Sequence, residues 1–389
     1  MGTDQVQVCF HYGCIGAKTG FRPLLPAESF LCPGFRNYSG HSEIHWKGQS
    51  MSKVLVTGGS GYIGSHTVLA LLQSGKDVIV IDNFSNSSPE SLKRVSNICG
   101  KSPLVVEGDI TDGKKLGKIF AEHANITSVI HFAALKAVGE STEFPLKYYR
   151  NNVSGSVILL EEMQKAGVKQ LVFSSSCTVY GEPKTVPISE RFPVGVVSSP
   201  YGRTKYVMEG IIEDYANSDP DFCCGVLRYF NPIGAHESGE IGEDPHGIPD
   251  NLVPFVCQVA LGKLEKLKIF GNDYPTCDGT AVRDYLHVVD LADAHLQALQ
   301  ELESSGESFV CNLGTGRGSS VLEVIDAFEK ANEIRIAYEF APRRPGDVTE
   351  AWADPAYAKM KLGWESKYDL VEMLRDAWNW QNKNPNGYS

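Results

Sequence analysis

Short apolar runs alternate with helical stretches along the chain from residue 52 to residue 215. Five of these runs predict buried strands: Lys53–Thr57, Asp77–Ile81, Leu104–Val106, Ser128–Phe132 and Gln170–Phe173. Runs rich in β-branched residues and without polar alternation are typical of parallel strands covered on both faces. Helices are predicted between and after them, notably at Ser65–Ser74, Phe144–Ala166 and Tyr201–Tyr215. The pattern predicts an α/β fold with a doubly wound parallel sheet of the Rossmann type, whose ligands bind at the carboxyl ends of the strands.

The first predicted strand leads directly into a glycine-rich turn. Gly58, Gly61 and Gly64 are spaced three residues apart and precede the first predicted helix. Glycines there let the backbone approach a pyrophosphate, and the N–H groups that open the helix favour an anion. Asp82 ends the second strand 18 residues after Gly64, where a carboxylate reaches the ribose of NAD and repels the 2′-phosphate of NADP. A structural βαβ unit with an ordinary glycine turn is the alternative, because the spacing alone is weak evidence.

Polar residues also follow the third and fifth predicted strands. Asp109 could hold an adenine amino group, and it could equally cap a helix that begins near Thr111. Ser174, Ser175 and Ser176 come after the fifth strand, so a hydroxyl there would face the cofactor crevice. Serines after a strand are also common turn residues, which leaves both interpretations open.

Tyr201 and Lys205 lie four residues apart in a predicted helix, so both side chains share one face. Two other pairs have this spacing. Gly181 and Pro183 interrupt the pair Tyr180/Lys184, and the pair Tyr357/Lys361 follows no strand end of the cofactor sheet. An ammonium and a nicotinamide cation would both lower a tyrosine pKa from its usual value of about 10. The phenolate could then take a proton from a carbinol while hydride leaves for the nicotinamide.

Composition and charge narrow the class of protein. The chain has 389 residues, 42% of them hydrophobic, and a formal net charge of −11, which argues against non-specific binding to nucleic acid or anionic membranes. No apolar run reaches the roughly 18 residues that span a bilayer. Ten cysteines form no C-x-x-C pair and no metal-ligand spacing with histidine. We therefore expect buried, reduced thiols in a cytoplasmic enzyme without a metal site.

Residues 1–51 differ from the rest of the chain. They show no periodicity, mix Gly, Pro, Ser and Cys, and end at a second methionine, Met51. Neither a secretory signal nor a transit peptide is indicated, so we expect a disordered N-terminal extension, with organelle targeting as the alternative. An NAD-binding domain is expected over residues 52–228, with later segments returning to it. A smaller C-terminal α/β substrate domain is expected over residues 229–389.

Several longer segments resemble the UDP-galactose (UDP-glucose) 4-epimerases of the extended short-chain dehydrogenase/reductase family. The resemblance covers residues 52–385 and rests on Thr57–Gly64, His131–Ser141, Phe173–Gly181, Arg228–Pro232, Ile269–Pro275, Val282–Tyr285 and Arg343–Asp347. It implies reversible C4 epimerisation of UDP-galactose and UDP-glucose through a 4-keto intermediate. It also implies tightly bound NAD and a homodimer.

The resemblance also implies roles for individual residues. Tyr201 would be the base, Lys205 would tune its pKa and anchor the ribose, and Ser176 would bond the sugar O4. The implied NAD contacts are Gly58, Gly61, Tyr62, Ile63, Gly64, Asp82, Asn83, Asn86, Asp109, Ile110, Phe132, Lys136, Asn151, Ser176, Tyr201, Lys205 and Phe230. The implied UDP-sugar contacts are Lys136, Ser176, Tyr201, Asn231, Asn251, Leu252, Phe270, Arg283, Tyr285, Arg344, Asp347 and Ala351. Two arginines suit a diphosphate, although Arg283 could instead form a structural salt bridge with Asp284 or another acid.

The chain departs from the family pattern at four positions. Cys177 replaces an alanine and could make the site sensitive to thiol reagents, or it could be a small buried side chain. Ala134 stands where glycine is common, and Asp250 replaces an asparagine before Leu252, which puts one sugar contact in doubt. Ala351 stands where a bulky tyrosine excludes N-acetyl sugars, so activity on UDP-GalNAc and UDP-GlcNAc is expected unless a neighbouring side chain fills the space.

Three other functions are alternatives for a chain with this pattern. The 4,6-dehydratases need an acid and a base where this chain has Cys177-Thr178-Val179. A 4-epimerase of another UDP-sugar, a uronic acid or a pentose, is the main alternative. A non-catalytic regulator that senses NAD or sugar is a remote one, because Tyr201 and Lys205 are both present.

Overall fold

A computed structural model describes residues 52–244, 249, 251–344 and 346–388. The predicted extension over residues 1–51 and the substitution at Asp250 lie outside these residues. The described residues form one compact unit.

The described residues form helices and short strands in alternation. The strands are β1 Lys53–Thr57, β2 Asp77–Asp82, β3 Leu104–Glu107, β4 Ile126–His131, β5 Gln170–Ser176, β6 Cys223–Tyr229, β7 Asn231–Ile233, β8 Leu267–Phe270, β9 Val282–Arg283, β10 Tyr285–His287, β11 Phe309–Leu313, β12 Ser319–Ser320, β13 Tyr338–Ala341 and β14 Glu350–Ala351. The helices are α1 Tyr62–Gln73, α2 Pro89–Cys99, α3 Gly113–Glu122, α4 Val138–Glu143, α5 Pro145–Tyr148, α6 Gly155–Ala166, α7 Pro200–Ser218, α8 Leu252–Ala260, α9 Val288–Ser305, α10 Val321–Asn332, α11 Ala356–Leu362 and α12 Leu370–Lys383. A π-helical turn covers Tyr149–Ser154, and a 3₁₀ turn covers Cys177–Tyr180.

Seven parallel strands form the central sheet in the order β3-β2-β1-β4-β5-β6-β11. The order reverses between β1 and β4, and in such sheets the ligand crevice opens at this point, beyond the carboxyl ends of the strands. The predicted doubly wound Rossmann-type sheet is confirmed.

Two apolar clusters sandwich the sheet because successive side chains of a strand point to opposite faces. Val54 and Val56 pack on one face with residues of α1, α2 and α9, whereas Leu55 packs on the other with residues of α3, α6 and α7. All three side chains are fully buried, and each such burial stabilises the fold by roughly 1.5–3 kcal/mol.

Several elements differ from their predicted bounds, and two of these differences concern segments beside the site. The single helix predicted over Phe144–Ala166 is divided into α5, the π-helical turn and α6. The side chain of Asn152, within the π turn, bonds the backbone of Leu135, which gives this interruption a tertiary cause. Strand β5 runs three residues further than predicted, since Ser174, Ser175 and Ser176 still pair with β6.

The chain after residue 229 contributes to two regions. Strand β11 joins the central sheet and α9 packs on α1. The other elements build a separate apolar cluster, with residues from α8, β8, α10 and α12, next to three small sheets. The border at residues 228/229 stays a prediction.

None of the described helices is long and apolar enough to cross a membrane.

Candidate active site

The turn between β1 and α1 can only be built with glycine. Gly58 has φ +69°, and a Cβ on it would lie 2.8 Å from the amide nitrogen of Ala133. A Cβ on Gly64 would lie 2.3 Å from the carbonyl oxygen of Gly58. Gly61 is the N-cap residue of α1, and no side chain of the described residues caps this helix. The open N–H groups at Tyr62 and Ile63 fit a pyrophosphate, as the helix dipole does.

Asp82 is buried at the carboxyl end of β2 and is held by the loop that follows. Its Oδ1 accepts hydrogen bonds from Phe84 N (3.0 Å) and Ser87 Oγ (2.8 Å), and its Oδ2 accepts one from Ser60 N (2.9 Å). A carboxylate has about four acceptor positions, so one is left for a ribose hydroxyl. The residues present therefore fit the adenosine end of NAD.

Asp109 does not cap α3, which Asp112 caps by accepting from Lys115 N. Asp109 instead accepts from Thr111 N (2.8 Å) and from Asn83 Nδ2 (2.7 Å). Burial opposes its charge, but these hydrogen bonds, together with one from the Thr111 hydroxyl, outweigh it and lower the pKa of Asp109. Asn86 lies in the same loop as Asn83, and the adjacent Ile110 is buried.

A buried polar chain supports the loop after β4. Thr57 Oγ1 lies 2.6 Å from His131 Nδ1, and His131 Nε2 lies 2.8 Å from Ser156 Oγ. Ser156 donates to Asn152 O (2.6 Å), and the Asn152 side chain accepts from Leu135 N (2.8 Å). Burial lowers the pKa of His131 to about 3, so the ring is neutral.

These hydrogen-bonded side chains were not predicted from the sequence as a support for the site. The predicted contact Asn151 only donates to Asn152 Oδ1 (2.9 Å). Pairing of β1 with β4 places His131 beside Thr57, and no local spacing signals it. Phe132 packs its ring 4.7 Å from that of His295, next to the turn.

The three catalytic candidates meet where β5 and α7 adjoin. Lys205 Nζ donates to Ser174 O at 2.6 Å. The same nitrogen lies 6.0 Å from the centroid of the Tyr201 ring. The Tyr201 hydroxyl interacts with the side chain of Ser176, which favours the phenolate. Ser176 also accepts from Thr178 Oγ1 (3.0 Å). Of the three Tyr-x-x-x-Lys pairs, Tyr201/Lys205 is the one whose lysine is hydrogen-bonded to a serine of this strand end.

Burial shifts the pKa of both members of the pair. Burial raises the pKa of Tyr201 to about 12, and the interaction with Ser176 offsets only part of this. Burial lowers the pKa of Lys205 to about 8, while the charge of Glu209 favours the ammonium. The protein by itself therefore moves the phenol away from neutral pH, because desolvation of the phenolate outweighs the stabilisation.

The predicted sugar and diphosphate contacts come from the small sheets. Arg283 Nη2 lies 3.3 Å from Asp347 Oδ1, so its acidic partner is Asp347. The carboxylate of Asp284 is instead held by Thr315 N (2.8 Å) and Ala353 N (3.1 Å). Tyr285 and Asn231 are partners in the pairing of β10 with β7. Ala351 pairs with Arg283, and the buried Phe230 belongs to the same apolar cluster as Ala351.

Lys136 and Asn251 meet at a residue that the sequence did not single out. Glu243 Oε1 accepts from Lys136 Nζ (3.1 Å) and from Asn251 Nδ2 (2.9 Å). Leu252 follows as the first residue of α8. Lys136 lies 107 residues before Glu243, and only the fold brings these two residues together.

Phe270 and Arg344 form a stacked pair at the far side of this region. The guanidinium of Arg344 lies 4.0 Å from the Phe270 ring centroid. An arginine on an aromatic face is a favourable cation–π contact.

Cysteines and metal ligands add no further site. The seven described cysteines are all free; Cys277 is exposed, contrary to the expectation that the thiols are buried. Burial raises the pKa of Cys177 to about 12, which favours the interpretation of a protonated, unreactive thiol. Among the residues that the structure describes, no group of three or more metal-ligating side chains occurs.

Known proteins match this chain along most of its length. The model of the NAD dependent epimerase/dehydratase family matches residues 54–314. UDP-glucose 4-epimerase of Haemophilus influenzae is 57% identical over 335 residues, which are 86% of this chain and 99% of the relative. The crystal structure of UDP-glucose 4-epimerase from Bifidobacterium longum in complex with NAD+ and UDP has a TM-score of 0.84 at 50% identity, covering 86% of this chain and 100% of that one. The enzyme from Stenotrophomonas maltophila, with bound NAD and formylated UDP-arabinopyranose, has a TM-score of 0.84 at 48% identity, with 86% and 99% covered.

The geometry defines an enzyme of the Rossmann type in which a tyrosine and a lysine share a helix beside the cofactor turn. The extent of these matches shows the family, and the chain belongs to the NAD dependent epimerase/dehydratase family. The predicted relationship to the epimerases of the extended short-chain dehydrogenase/reductase family is confirmed, as is the cofactor NAD.

Proposed function

We propose that this enzyme interconverts UDP-galactose and UDP-glucose by epimerisation at C4 through a 4-keto sugar. The observation that carries the proposal is the convergence of Ser176, Tyr201 and Lys205 at the carboxyl end of β5. The high identity to UDP-glucose 4-epimerases supports the choice of substrate.

Each residue of the site has a distinct task in this reaction. Tyr201 takes the proton of the 4-hydroxyl and later returns it, and Ser176 bonds the same oxygen. Bound NAD would supply reversible hydride transfer at C4 and a positive charge that favours the phenolate. The turn at Gly58–Gly64, with Asp82 and Asp109, would hold this cofactor. Lys205 adds a second positive charge below the pH at which it titrates.

Residues on and near the small sheets would bind the nucleotide. Arg283 and Arg344 would bind the diphosphate, since guanidinium groups match phosphate geometry. Phe270 would stack on the uracil, and Arg344 would then leave the ring face that it covers here. Strong binding of UDP leaves the sugar free to turn and present its other face, as epimerisation requires.

Incubation of the purified protein with UDP-galactose, first without added NAD, tests the proposal. Formation of UDP-glucose is expected, and it would show both the reaction and a resident cofactor. No conversion after NAD is added back would contradict the proposal and favour a uronic acid or a pentose as the sugar.

We also propose that N-acetylated UDP-sugars are substrates. Ala351 lies within a cluster with Phe230 and Val179, and its small side chain would leave more room than a tyrosine for a substituent at the sugar's 2-position. The change Ala351→Tyr is expected to abolish turnover of UDP-GalNAc while UDP-galactose is still converted, and the second substrate is the control for folding. Absence of UDP-GalNAc turnover by an active wild-type enzyme would contradict the proposal.

A homodimer is proposed from an exposed apolar surface on packed helices. Val138, Phe144, Leu146 and Tyr206 lie on or beside α4, α5 and α7, and Leu146 is 82% exposed. Clustered exposed apolar side chains of this kind mark interaction surfaces, and a second copy of the chain presents the same surface. Leu146→Glu is expected to convert the dimer to a monomer in light scattering, whereas Met360→Glu on α11, at a 74% exposed position, should not. A monomeric wild-type protein would contradict this.

A cytoplasmic location is proposed because the seven described cysteines are free. Reduced thiols are expected in that compartment. Fractionation of the cells that produce the protein tests the location.

A further inference from the structure

Helix α7 presents three polar residues in one row to three consecutive serines. Tyr201, Lys205 and Glu209 are four residues apart, so they share a helix face. The Tyr201 hydroxyl interacts with the side chain of Ser176, and Lys205 donates to Ser174 O. Glu209 Oε1 accepts from Ser175 Oγ at 2.5 Å. Two of these contacts belong to the proposed chemistry, and the third has no assigned role.

Glu209 is fixed on its other side by a buried arginine. Arg228 Nε donates to Glu209 Oε1 (2.9 Å), and Arg228 Nη2 donates to Glu209 Oε2 (2.5 Å). Arg228 lies directly opposite Ser175 in the pairing of β5 with β6. The Glu209 and Arg228 side chains are only 10% and 8% exposed. An ion pair buried to this degree is costly unless both partners are well hydrogen-bonded, as they are here.

Several titratable groups near Lys205 are uncharged, so they add little to the effect of the Glu209 charge on the pKa of Lys205. Burial lowers the pKa of Lys205, and the negative charge of Glu209 opposes that shift. Of the groups facing this region, His131 on β4 is neutral because burial lowers its pKa to about 3. Burial also raises the pKa of Tyr180, in the 3₁₀ turn, to about 12 and that of Cys224, on β6, above its usual range.

Two charged groups remain near the pair. Arg228 on β6 bonds Glu209 directly, and Glu190, in the segment before α7, interacts with Arg228. Loss of the Glu209 charge would therefore leave Lys205 beside an arginine without its bonded carboxylate. Both changes favour the neutral amine.

We propose that Glu209 is a positioning residue of the proton-transfer site. Its carboxylate fixes the Ser174–Ser176 end of β5 against α7 and keeps Lys205 in the ammonium form. The neutral amine could not favour the Tyr201 phenolate, so the role of Glu209 extends the upper pH limit of activity. This inference rests on the proposed function for its catalytic meaning, although the charge of Lys205 can be measured without turnover.

The charge of Lys205 is measured by NMR titration of lysine labelled with ¹³C at Cε, in the full-length protein. Lys205→Met identifies the resonance. Lys205 is expected to titrate near pH 8 in the wild type. In Glu209→Gln the titration should fall by about one pH unit. Glu213→Gln, an exposed position one turn further along α7, is the matched control and should titrate as the wild type does.

Two further measurements separate the charge from packing. The double variant Glu209→Gln/Arg228→Met also removes the neighbouring cation, so Lys205 should titrate closer to the wild-type pH than in the single variant. In turnover, Glu209→Gln should lose kcat on the alkaline side of the pH profile by the same shift, with KM unchanged.

One result would overturn the inference: Lys205 titrating at the same pH in Glu209→Gln and in the wild type, with both proteins folded by circular dichroism. Failure of the wild type to epimerise UDP-galactose would instead contradict the proposed function. The NMR titration decides the role of Glu209 in either case.

Discussion

The spacing of a tyrosine four residues before a lysine does not by itself identify a catalytic base. The residues that the fold places beside the tyrosine decide whether it is a candidate. The pattern occurs three times in this chain. Tyr180 ends a 3₁₀ turn before Gly181, and Tyr357/Lys361 lies on α11, where Lys361 pairs with Glu301. Of these three tyrosines, Tyr201 is the one whose hydroxyl interacts with a serine at the end of the cofactor sheet.

The role of the Tyr201 hydroxyl can be tested by removing that one group. Tyr201→Phe removes the group that exchanges the proton, so kcat is expected to fall by about 10²–10⁴-fold. Bound NAD, measured by absorbance after denaturation, should stay at the wild-type level because the glycine turn is intact. Tyr357→Phe makes the same change in a helical pair outside the site and should leave kcat unchanged. Near-normal turnover by Tyr201→Phe would rule out its role as the base.

At the scale of elements, the turn between β1 and α1 is shaped by close backbone contacts. The space for a side chain at Gly64 is occupied by the carbonyl of Gly58, which the same turn positions. The turn is so tight that the N–H groups at the start of α1 converge, and this close backbone packing excludes a Cβ at Gly64.

Gly64→Ala tests this tightness. The added methyl group must displace backbone, so the free energy of unfolding is expected to fall by about 1–3 kcal/mol, with loss of retained NAD. Gly210→Ala is the control: this glycine is exposed on α7, and a Cβ there would have no neighbour within 4 Å. That change should raise the free energy of unfolding by about 0.5–1 kcal/mol. Equal effects in thermal and urea unfolding would show that the turn is not strained by a methyl group.

At the scale of the whole molecule, several histidines are buried without charge. Burial lowers the pKa of His66 and His131 to about 3 and that of His295 to about 4. An unfolded chain binds protons at these rings below about pH 6.5, and the folded protein does not. Stability from these groups is therefore fully present above pH 6.5 and declines as the pH falls towards 3.

His66 allows this to be measured, because its Nε2 has no hydrogen-bond partner among the described residues. Between pH 7.5 and pH 5.0 the wild type is expected to lose about 2 kcal/mol more stability than His66→Gln. The comparison within one pair of proteins cancels the contribution of the acidic groups. Urea unfolding at the two pH values gives the difference, and equal losses would contradict a neutral, buried His66.

The sequence predicted the sheet better than the surroundings of the site. The first five strands are continuous apolar runs whose burial follows from composition, so β1 to β5 were found with small errors at their ends. Glu243, Glu209 and His131 were missed as parts of the site because their partners lie on other elements. The break in the helix at Asn152 has the same origin, since a backbone group of Leu135 outweighs helical propensity.

Strand β11 is synthesised long after β6, the strand with which it pairs, and this delay affects the nascent chain. Strand β6 ends at Tyr229 and its outer partner β11 begins at Phe309, so 80 positions separate the two edges. A ribosome has therefore made most of the protein before the row of peptide groups along β6 can be paired. During that interval β6 is an open edge, which neighbouring nascent chains can join. Slow translation of the intervening segment is expected to lengthen this exposure, and a chaperone that covers the edge is expected to raise the yield of folded enzyme.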